Sequence, residues 1–177
     1  MIIWLNGTFG VGKTETAKAL HEKLKPSHIY DPELVGQFLW YTFPEDMKRK
    51  GDFQDIPLWR SMNHDLIRYL CEQYPGDLII PMTIANPAYE NEIIGQLRRE
   101  GIPVQHFLLA ANRSVVHQRL VGRGEPEHSW AEAQMESCLD GFSKLKDVLE
   151  INTENLSISE VVEMIFRHDI KGSASHA

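Results

Sequence analysis

Hydrophobic residues along the chain form short runs of strand length that alternate with segments of helical periodicity. Residues 1–6 are almost wholly apolar, as expected of a buried strand, and residues 13–24 place apolar side chains on one face of a helix. Because strands alternate with helices, we predict a three-layer α/β fold in which helices cover both faces of a parallel five-stranded sheet. The other four strands are predicted over residues 28–31, 78–80, 104–109 and 150–153.

Turn and capping residues mark where the predicted helices begin and end. Pro57 suits the first position of one helix, and Asn86 is the N-cap of another helix that Gly101 ends. A Ser followed three residues later by Glu, the capping-box pattern, begins each of the last two helices, at Ser129 and Ser157. Each of these helices therefore has a residue with a physical role at one of its ends.

The segment that follows the second strand has a mixed composition. It contains Pro44 and Gly51, and we predict that residues 32–56 form a mobile excursion rather than part of the core. Its aromatic side chains admit two interpretations, a small satellite core or an apolar pocket for a base, a sugar face or an acyl tail. The aromatic residues are Trp40, Tyr41, Phe43, Phe53 and Trp59.

Length and composition are those of one soluble domain. The 177 residues are 42% hydrophobic and 24% charged, and neither a repeat nor a linker divides them. We predict a single domain over residues 1–170, in which residues 32–75 hold the substrate. The polar tail, residues 171–177, is predicted to be disordered.

Charge and targeting signals exclude several classes of protein. The net charge is −7, and we find no basic stripe that would bind nucleic acid. The first residues lack the basic region and cleavage site of a signal peptide, and no apolar stretch approaches the roughly 20 residues that span a bilayer. Cys71 and Cys138 form neither a disulfide framework nor a CxxC pair. We expect a cytoplasmic protein, and the sequence does not indicate its oligomeric state.

Residues 7–14 match the phosphate-loop pattern GxxxxGK[ST] at every fixed position, between a predicted strand and a predicted helix. Glycines let the backbone curl so that successive N–H groups point at phosphate oxygens, and the helix N-terminus adds its dipole. Lys13 supplies a charge for the β- and γ-phosphates, and the Thr14 hydroxyl is a ligand for Mg²⁺. We therefore predict ATP and Mg²⁺ as cofactors. The loop comprises Gly7, Thr8, Phe9, Gly10, Val11, Gly12, Lys13 and Thr14.

Two arginines and one aspartate are candidates for catalysis beside this loop. Arg119 and Arg123 are four residues apart near the end of a predicted helix. They either clamp phosphate oxygens from a lid over residues 119–130 or lie on an exposed helix face. Asp31 ends the second strand, at the edge of the sheet where ligands bind, and it either accepts a hydroxyl proton or forms the turn before Pro32.

The third predicted strand ends without the carboxylate that many phosphate-loop enzymes use to position Mg²⁺. It continues into Pro81-Met82-Thr83. Either Asp31 positions Mg²⁺ in place of that carboxylate, or Thr83 does so weakly, or turnover is slow. Arg60 either contacts an anionic or sugar substrate or forms a surface salt bridge. The residues predicted to bind substrate are Asp31, Phe53, Trp59, Arg60 and Thr83.

Six segments of the chain resemble segments of the tunicamycin-resistance ATP-binding proteins and occur in the same order there. The likeness covers nearly the whole chain to about residue 166. The DFQDIPLWR and PMT sequences are more distinctive than the phosphate loop. The six segments are MIIWLNGTFGVGKT at 1–14, YDPE at 30–33, DFQDIPLWR at 52–60, IPMTI at 80–84, NEIIGQLRREG at 91–101 and NTENLSI at 152–158.

The resemblance implies a nucleotide- or shikimate-kinase-like fold with strand order 2-3-1-4-5, ATP binding, and a role in resistance to tunicamycin, a nucleoside antibiotic with a fatty acyl chain. It implies that Arg119 and Arg123 are lid arginines and that Asn152 and Thr153 lie near the adenine. Some members carry a longer C-terminal segment that associates with membrane. The short polar tail of this chain makes peripheral membrane contact doubtful.

Three functions are compatible with these features. The leading prediction is a small-molecule kinase that transfers phosphate from ATP to a nucleoside or sugar-like acceptor and so confers antibiotic resistance. The second is a sequestering protein, in which ATP gates a drug-binding pocket with little catalysis. The third is an NTPase that acts with a protein partner.

Overall fold

The structure, a computed structural model, describes residues 1–48, 51–122, 124 and 134–173, with side chains as far as residue 168. Within these ranges the strands are β1 (Ile2–Gly7), β2 (Ser27–Ile29), β3 (Asp77–Pro81), β4 (Val104–Ala110) and β5 (Leu149–Asn152). The helices are α1 (Lys13–Lys23), α2 (Glu33–Thr42), α3 (Pro57–Gln73), α4 (Pro87–Glu90), α5 (Gln96–Arg99), α6 (Arg113–Gly122), α7 (Met135–Phe142) and α8 (Ile158–Ser173). A π-helical turn, Asn91–Gly95, joins α4 to α5, and short 3₁₀ turns lie at Glu45–Met47 and Phe53–Asp55.

All five strands are parallel, and their order across the sheet is β2-β3-β1-β4-β5. The three-layer α/β fold and the predicted strand order are therefore confirmed. β1 is the central strand, and its last residue, Gly7, is paired with Leu109 of β4. Because parallel strands end at the same edge, the loops that follow β1, β3 and β4 converge there.

The side chains of β1 alternate between two cores, one on each face of the sheet. Trp4 is fully buried on the face covered by α2, α3 and the α4–α5 helix. Leu5 is fully buried on the opposite face, which α1 and α8 cover. A strand covered on both faces reads as a continuous apolar run, which is why residues 1–6 lack the polar alternation of a surface strand.

The segment after β2 is more ordered than its composition predicts. Residues 33–42 form α2, whose Val35 and Leu39 are buried in the same core as Trp4. The indole of Trp59 is also fully buried, and its Nε1 donates a hydrogen bond to the carbonyl oxygen of Pro32 at 3.1 Å. The prediction that 32–56 is an excursion outside the core is therefore wrong for α2, and Trp59 packs in the main core with Trp4 rather than in a satellite core.

Most predicted helix ends are confirmed. The Asn86 side chain accepts a hydrogen bond from the N–H of Ala88, and Gly101 has a φ of +81° after α5. Ser157 and Glu160 form the reciprocal bonds of a capping box before α8. The box predicted at Ser129 lies outside the described residues.

The last helix buries the face that bears Val161, Val162 and Ile165, whereas Ile158 at its first position is 36% exposed. The helix also runs to Ser173, three residues into the tail that the sequence predicts to be disordered, and residues 174–177 lie outside the described part. No helix in the described ranges is both long and apolar enough to span a bilayer.

A substitution at Gly36 tests how tightly α2 packs against the 3₁₀ turn Phe53–Asp55, which we call the Phe53 turn. A Cβ atom at Gly36 would lie 2.7 Å from the Cγ atom of Phe53, so Gly36→Ala forces the ring to move. We expect this substitution to lower the free energy of unfolding by about 1–3 kcal/mol, measured by urea denaturation.

Gly122→Ala, at the last residue of α6, is the matched control, because no atom of the described residues, apart from its chain neighbours and its own helix backbone, lies within 4 Å of the added Cβ. We expect it to raise the free energy of unfolding by up to about 1 kcal/mol through helix propensity. Equal effects of the two substitutions would contradict the packing described for α2.

Candidate functional site

The backbone of the phosphate loop depends on glycines at three positions. The φ angles are +142° at Gly7, +79° at Gly10 and +111° at Gly12, a region that other residues rarely adopt. A Cβ atom at Gly7 would also lie 2.5 Å from the carbonyl oxygen of Leu109. The motif glycines thus fix a curled turn between β1 and the N-terminus of α1, which suits an anion.

Lys13 and Thr14 occupy the positions that the loop chemistry requires. The Nζ atom of Lys13 donates hydrogen bonds to the carbonyl oxygens of Gly7 and Thr8, each at 2.9 Å, and lies 5.5 Å from the centre of the Phe9 ring. Its ammonium group is therefore held against the loop. Thr14 is exposed in the first turn of α1, so its hydroxyl is accessible to a ligand.

Two buried side chains anchor the first residue of the loop. The Oδ1 atom of Asn6 accepts from the N–H of Gly7 at 2.9 Å, and the hydroxyl of Thr83 donates to the carbonyl oxygen of Gly7 at 2.8 Å. Thr83 is 6% exposed, so its hydroxyl holds the loop rather than extending freely toward a substrate. Sequence reasoning missed Asn6, although a polar residue inside an apolar strand is a signal that could have identified it.

A cavity of about 470 Å³ lies on the α8 side of the loop. Arg119 of α6 lies in the wall of this cavity. Its Nη1 donates to the carbonyl oxygen of Val11 and to the hydroxyl of Thr153. Its Nη2 donates to the carbonyl oxygen of Thr153 at 2.7 Å. The arginine therefore ties the loop to the segment after β5. Cavity-lining residues include Val11, Gly12, Thr16, Arg119, Thr153 and Ile158.

Of the two residues predicted to lie near the adenine, Thr153 lines the cavity. Asn152 is exposed and does not line it, and its side chain accepts from the N–H of Glu154. Arg123 and most of the predicted lid over 119–130 lie outside the described residues. The predicted Arg119–Arg123 pair therefore stays a prediction, while Arg119 itself lies at the loop.

A second cavity, of about 250 Å³, lies between the loop and the Phe53 turn. It brings the Phe9 ring together with two carboxylates that the sequence analysis did not select, Glu33 and Asp52. Predicted residues Phe53 and Thr83 also line it. The remaining walls are formed by Gly51, Gln54 and Met82.

Asp31, the predicted acid–base residue, serves as a cap at the start of α2. Its Oδ1 atom accepts from the N–H of Glu33 at 2.9 Å, and it follows the end of β2 by two residues. Asp31 does not line the 250 Å³ cavity, whereas Glu33 does. The short sequence Asp31-Pro32-Glu33 contains both carboxylates, so it could have directed attention to Glu33 as well as to Asp31.

The two carboxylates of this cavity are easier to protonate than usual. Partial burial raises the pKa of Glu33, the negative charges of Asp31 and Asp52 raise it further, and Lys13 opposes them. Burial also raises the pKa of Asp52, although the N–H of Gln54 donates to its carboxylate and counteracts this. Lys13 therefore lies close enough to Glu33 for their charges to interact across the loop.

Arg60 and Trp59 are positioned for structure rather than for contact with a substrate. Arg60 is 8% exposed, and its guanidinium donates to Glu92 and to the carbonyl oxygen of Gln54 and stacks 4.2 Å from the centre of the Tyr89 ring. Arg60 therefore does form a salt bridge, as one predicted alternative has it, but its own side chain is buried and only Glu92, 47% exposed, reaches the surface. Trp59 has no exposed surface, which removes it from the predicted substrate contacts.

A third cavity, of about 400 Å³, opens beside α2 and is walled mostly by apolar groups. It shares Gly51, Asp52 and Phe53 with the 250 Å³ cavity, so the two adjoin. Its aromatic and aliphatic walls agree with the apolar-pocket interpretation of the aromatic cluster. These walls include Trp40, Tyr41, Phe43, Met47, Phe53 and Ile56.

Replacing Arg119 tests its connection to the loop. Arg119→Lys keeps the charge but loses the planar fork that bonds Val11 and Thr153 together, so we expect about tenfold weaker nucleotide binding by calorimetry. Arg113→Lys is the control in the same helix, because Arg113 is exposed and pairs with the exposed Glu136. Similar affinities in both variants would contradict this role.

Comparisons with known proteins agree with this geometry. Residues 2–145 match the family described as AAA domain. The tunicamycin resistance protein of Deinococcus radiodurans is 35% identical, with a TM-score of 0.79 over 94% of each chain. A putative adenylate kinase of Methanosarcina acetivorans is 29% identical over 165 residues, which are 90% of this chain and 81% of that protein. A sugar kinase from Janibacter sp. HTCC2649 shares the fold, with 14% identity and a TM-score of 0.69 over 94% and 92% of the two chains.

The family match covers most of the chain, and the similarity to the Deinococcus protein covers nearly all of it. Both matched regions include the phosphate loop. The family is kinase-like and binds nucleotides. The chain belongs to this AAA-domain family of phosphate-loop, kinase-like proteins, together with the tunicamycin resistance protein.

Proposed function

We propose that this protein is an ATP- and Mg²⁺-dependent phosphotransferase that phosphorylates a hydroxyl group of a small molecule, and that its acceptor is a nucleoside antibiotic such as tunicamycin. The observation that carries the proposal is the position of the phosphate loop between two unlike cavities. One is crossed by Arg119, and the other is lined by the carboxylates of Glu33 and Asp52. Phosphoryl transfer needs a donor site and an acceptor site on opposite sides of one phosphate cradle.

The loop residues fit a triphosphate and its metal ion. Lys13, Thr14 and the glycine-defined turn supply a cation, an exposed hydroxyl and a curled backbone at the N-terminus of α1. Mg²⁺, when bound, neutralises charge on the phosphate oxygens. Arg119 stabilises the loop and lies on the nucleotide side, next to Thr153, where the base is accommodated.

Glu33 is the better candidate for the general base. Asp31 already accepts a backbone hydrogen bond, whereas Glu33 lines the cavity beside Phe9 and interacts with the charge of Lys13. Its raised pKa makes it a stronger base than an ordinary carboxylate at neutral pH. In the transfer, the acceptor hydroxyl gives its proton to Glu33, its oxygen bonds to the γ-phosphorus, and the bond from phosphorus to ADP breaks.

The charge of the acceptor cavities supports an acceptor without a phosphate group. Among the described residues that line the two adjoining cavities, Lys48 alone is basic, while Glu33, Asp52 and Asp55 are acidic. Arg60 is already paired with Glu92. A nucleoside monophosphate would be repelled there, so the name of the adenylate kinase relative describes that protein and is a weaker guide to this one. The aromatic cavity suits an apolar portion of the acceptor.

A second function, sequestration of the drug in an ATP-gated pocket, is favoured by one observation. β3 ends at Pro81, and no carboxylate follows it before Thr83 to position Mg²⁺. Slow or absent turnover would follow from that loss, while the 400 Å³ aromatic cavity could still hold a ligand.

Incubation with labelled ATP separates these functions. We expect a phosphorylated product from tunicamycin and none from AMP. We also expect Lys13→Ala to lose most nucleotide affinity. Circular dichroism of this variant should show an intact fold, because the loop backbone remains. Stoichiometric drug binding that ATP strengthens, without phosphorylated product, would instead establish sequestration. Phosphorylation of AMP would contradict the proposed acceptor class.

The pH dependence of transfer distinguishes Glu33 from Asp31. The base acts when deprotonated, and its pKa is raised, so we expect kcat to increase as pH rises above the ordinary carboxyl range of about 4.3. Glu33→Gln should remove this increase of kcat with pH and lower kcat by about 10²–10⁴-fold. Asp31→Asn should retain the increase and lower kcat by less. The reverse pattern would assign the base to Asp31.

A further inference from the structure

A buried polar network crosses the core from the α4–α5 helix to the phosphate loop. Asn6 and His106 are diagonal neighbours on β1 and β4, since His106 is paired with Trp4, and they are 0% and 1% exposed. Nδ2 of Asn6 is 3.1 Å from Nε2 of His106, and Nδ1 of His106 is 3.5 Å from Oε1 of Glu90. The same carboxylate oxygen is 3.9 Å from Nη1 of Arg98. Neither the proposed transfer nor the cavities use this network.

The orientation of the Asn6 amide is determined by its backbone partners. Oδ1 accepts from the N–H groups of Gly7 and Ile84, at 2.9 and 3.0 Å. Nδ2 donates to the carbonyl oxygen of Ile84 at 2.8 Å. An amide turned by 180° would place its NH₂ group against two N–H donors, so the remaining hydrogen of Nδ2 must point to His106.

This orientation fixes the tautomer of His106. Because Nδ2 of Asn6 can only donate, Nε2 of His106 must be the acceptor and carries no hydrogen. The neutral ring then has its hydrogen on Nδ1, which faces the Glu90 carboxylate. Glu90 Oε1 and His106 Nδ1 have no other hydrogen-bond partner among the described residues, which agrees with their pairing at a slightly long distance.

We propose that His106 is a positioning residue for the phosphate loop: through Asn6 it holds the N–H of Gly7 in place, and it does so only while its ring is neutral with the hydrogen on Nδ1. Asn6 provides this link, since its amide bonds His106 on one side and Gly7 and Ile84 on the other. Gly7 in turn receives Lys13 and Thr83 at its carbonyl oxygen. A shift of Asn6 is therefore transmitted to the residues that flank the phosphates.

Protonation of His106 would break this arrangement. An imidazolium ring carries hydrogen on both nitrogens, so Nε2–H would oppose the N–H of Asn6 at 3.1 Å. Of the described charged groups that face the ring, the Glu90 carboxylate favours protonation and Arg98 disfavours it, while the Trp4 ring lies edge-on at 6.5 Å. Burial, the largest effect, lowers the pKa of His106, so the neutral ring persists somewhat below the ordinary value of about 6.5.

The test compares the affinity of Mg²⁺·ADP for three forms of the protein between pH 5 and pH 8, by calorimetry. His106→Gln retains an acceptor oxygen for Asn6 and a donor for Glu90 but cannot titrate, so we expect wild-type affinity within about threefold at pH 8. His106→Leu removes the acceptor, and we expect roughly tenfold weaker binding at every pH. Because burial lowers the pKa of His106, the ratio of wild-type to His106→Gln affinity should stay constant as pH decreases through the ordinary value of about 6.5 and should fall only at lower pH.

The ratio of wild-type to variant affinity is the informative quantity, because the terminal phosphate of the nucleotide also titrates in this range. His28→Gln is the matched control, since His28 is an exposed histidine on β2 and should leave the ratio at one. A pH-independent ratio for His106→Gln, or unchanged affinity in His106→Leu, would overturn the proposal. Urea denaturation of each variant separates a loss of affinity from a loss of fold.

The ring tautomer gives a readout that is independent of nucleotide binding. Nitrogen-15 NMR of the histidine side chains should show hydrogen on Nδ1 and a bare Nε2 for His106, and hydrogen on Nε2 would overturn the proposal. The affinity test rests on the proposed nucleotide site, so wild-type protein that binds no Mg²⁺·ADP would refute that site. The NMR result would still decide the relation between His106 and Asn6.

Discussion

The site depends on how one residue, Gly7, is bonded at the end of the central strand. Its N–H donates to Asn6, and its carbonyl oxygen accepts from Lys13 and Thr83. These three side chains come from β1, α1 and the loop after β3, so three different elements fix the peptide groups on both sides of Gly7. A Cβ atom at this position would strike Leu109, and therefore no other residue could bring the strands and the loop so close.

Charge is divided across the loop. Arg119 lies on the α8 side, whereas Glu33 and Asp52 line the cavity on the side of the Phe53 turn, and Lys13 stands between them. Under the proposed function, the carboxylates on the second side would repel a polyanion and so orient a nucleotide toward the side of Arg119. The same carboxylates would favour an uncharged group as the acceptor.

Features that arise from short-range pattern could be predicted from the sequence, and those that arise from distant contacts could not. The phosphate loop and the capping box at Ser157 involve neighbouring residues, and the strand order followed from a family resemblance. Trp59 was taken for a pocket residue because its burial depends on α2, whose apolar face is short and lies in a segment of mixed composition. Thr83 bonds a residue 76 positions away, and Glu33 meets Phe9 only in the folded chain.

The π-helical turn between α4 and α5 has a consequence for chain length. Glu90 and Arg98 are eight positions apart, a separation that a regular helix of 3.6 residues per turn rotates by about 80°. The turn Asn91–Gly95 contains one residue more than an α-helical turn, so the two side chains return to the same face and meet at 3.9 Å. A relative that has lost one residue here should carry an uninterrupted helix with its acidic and basic partners seven positions apart.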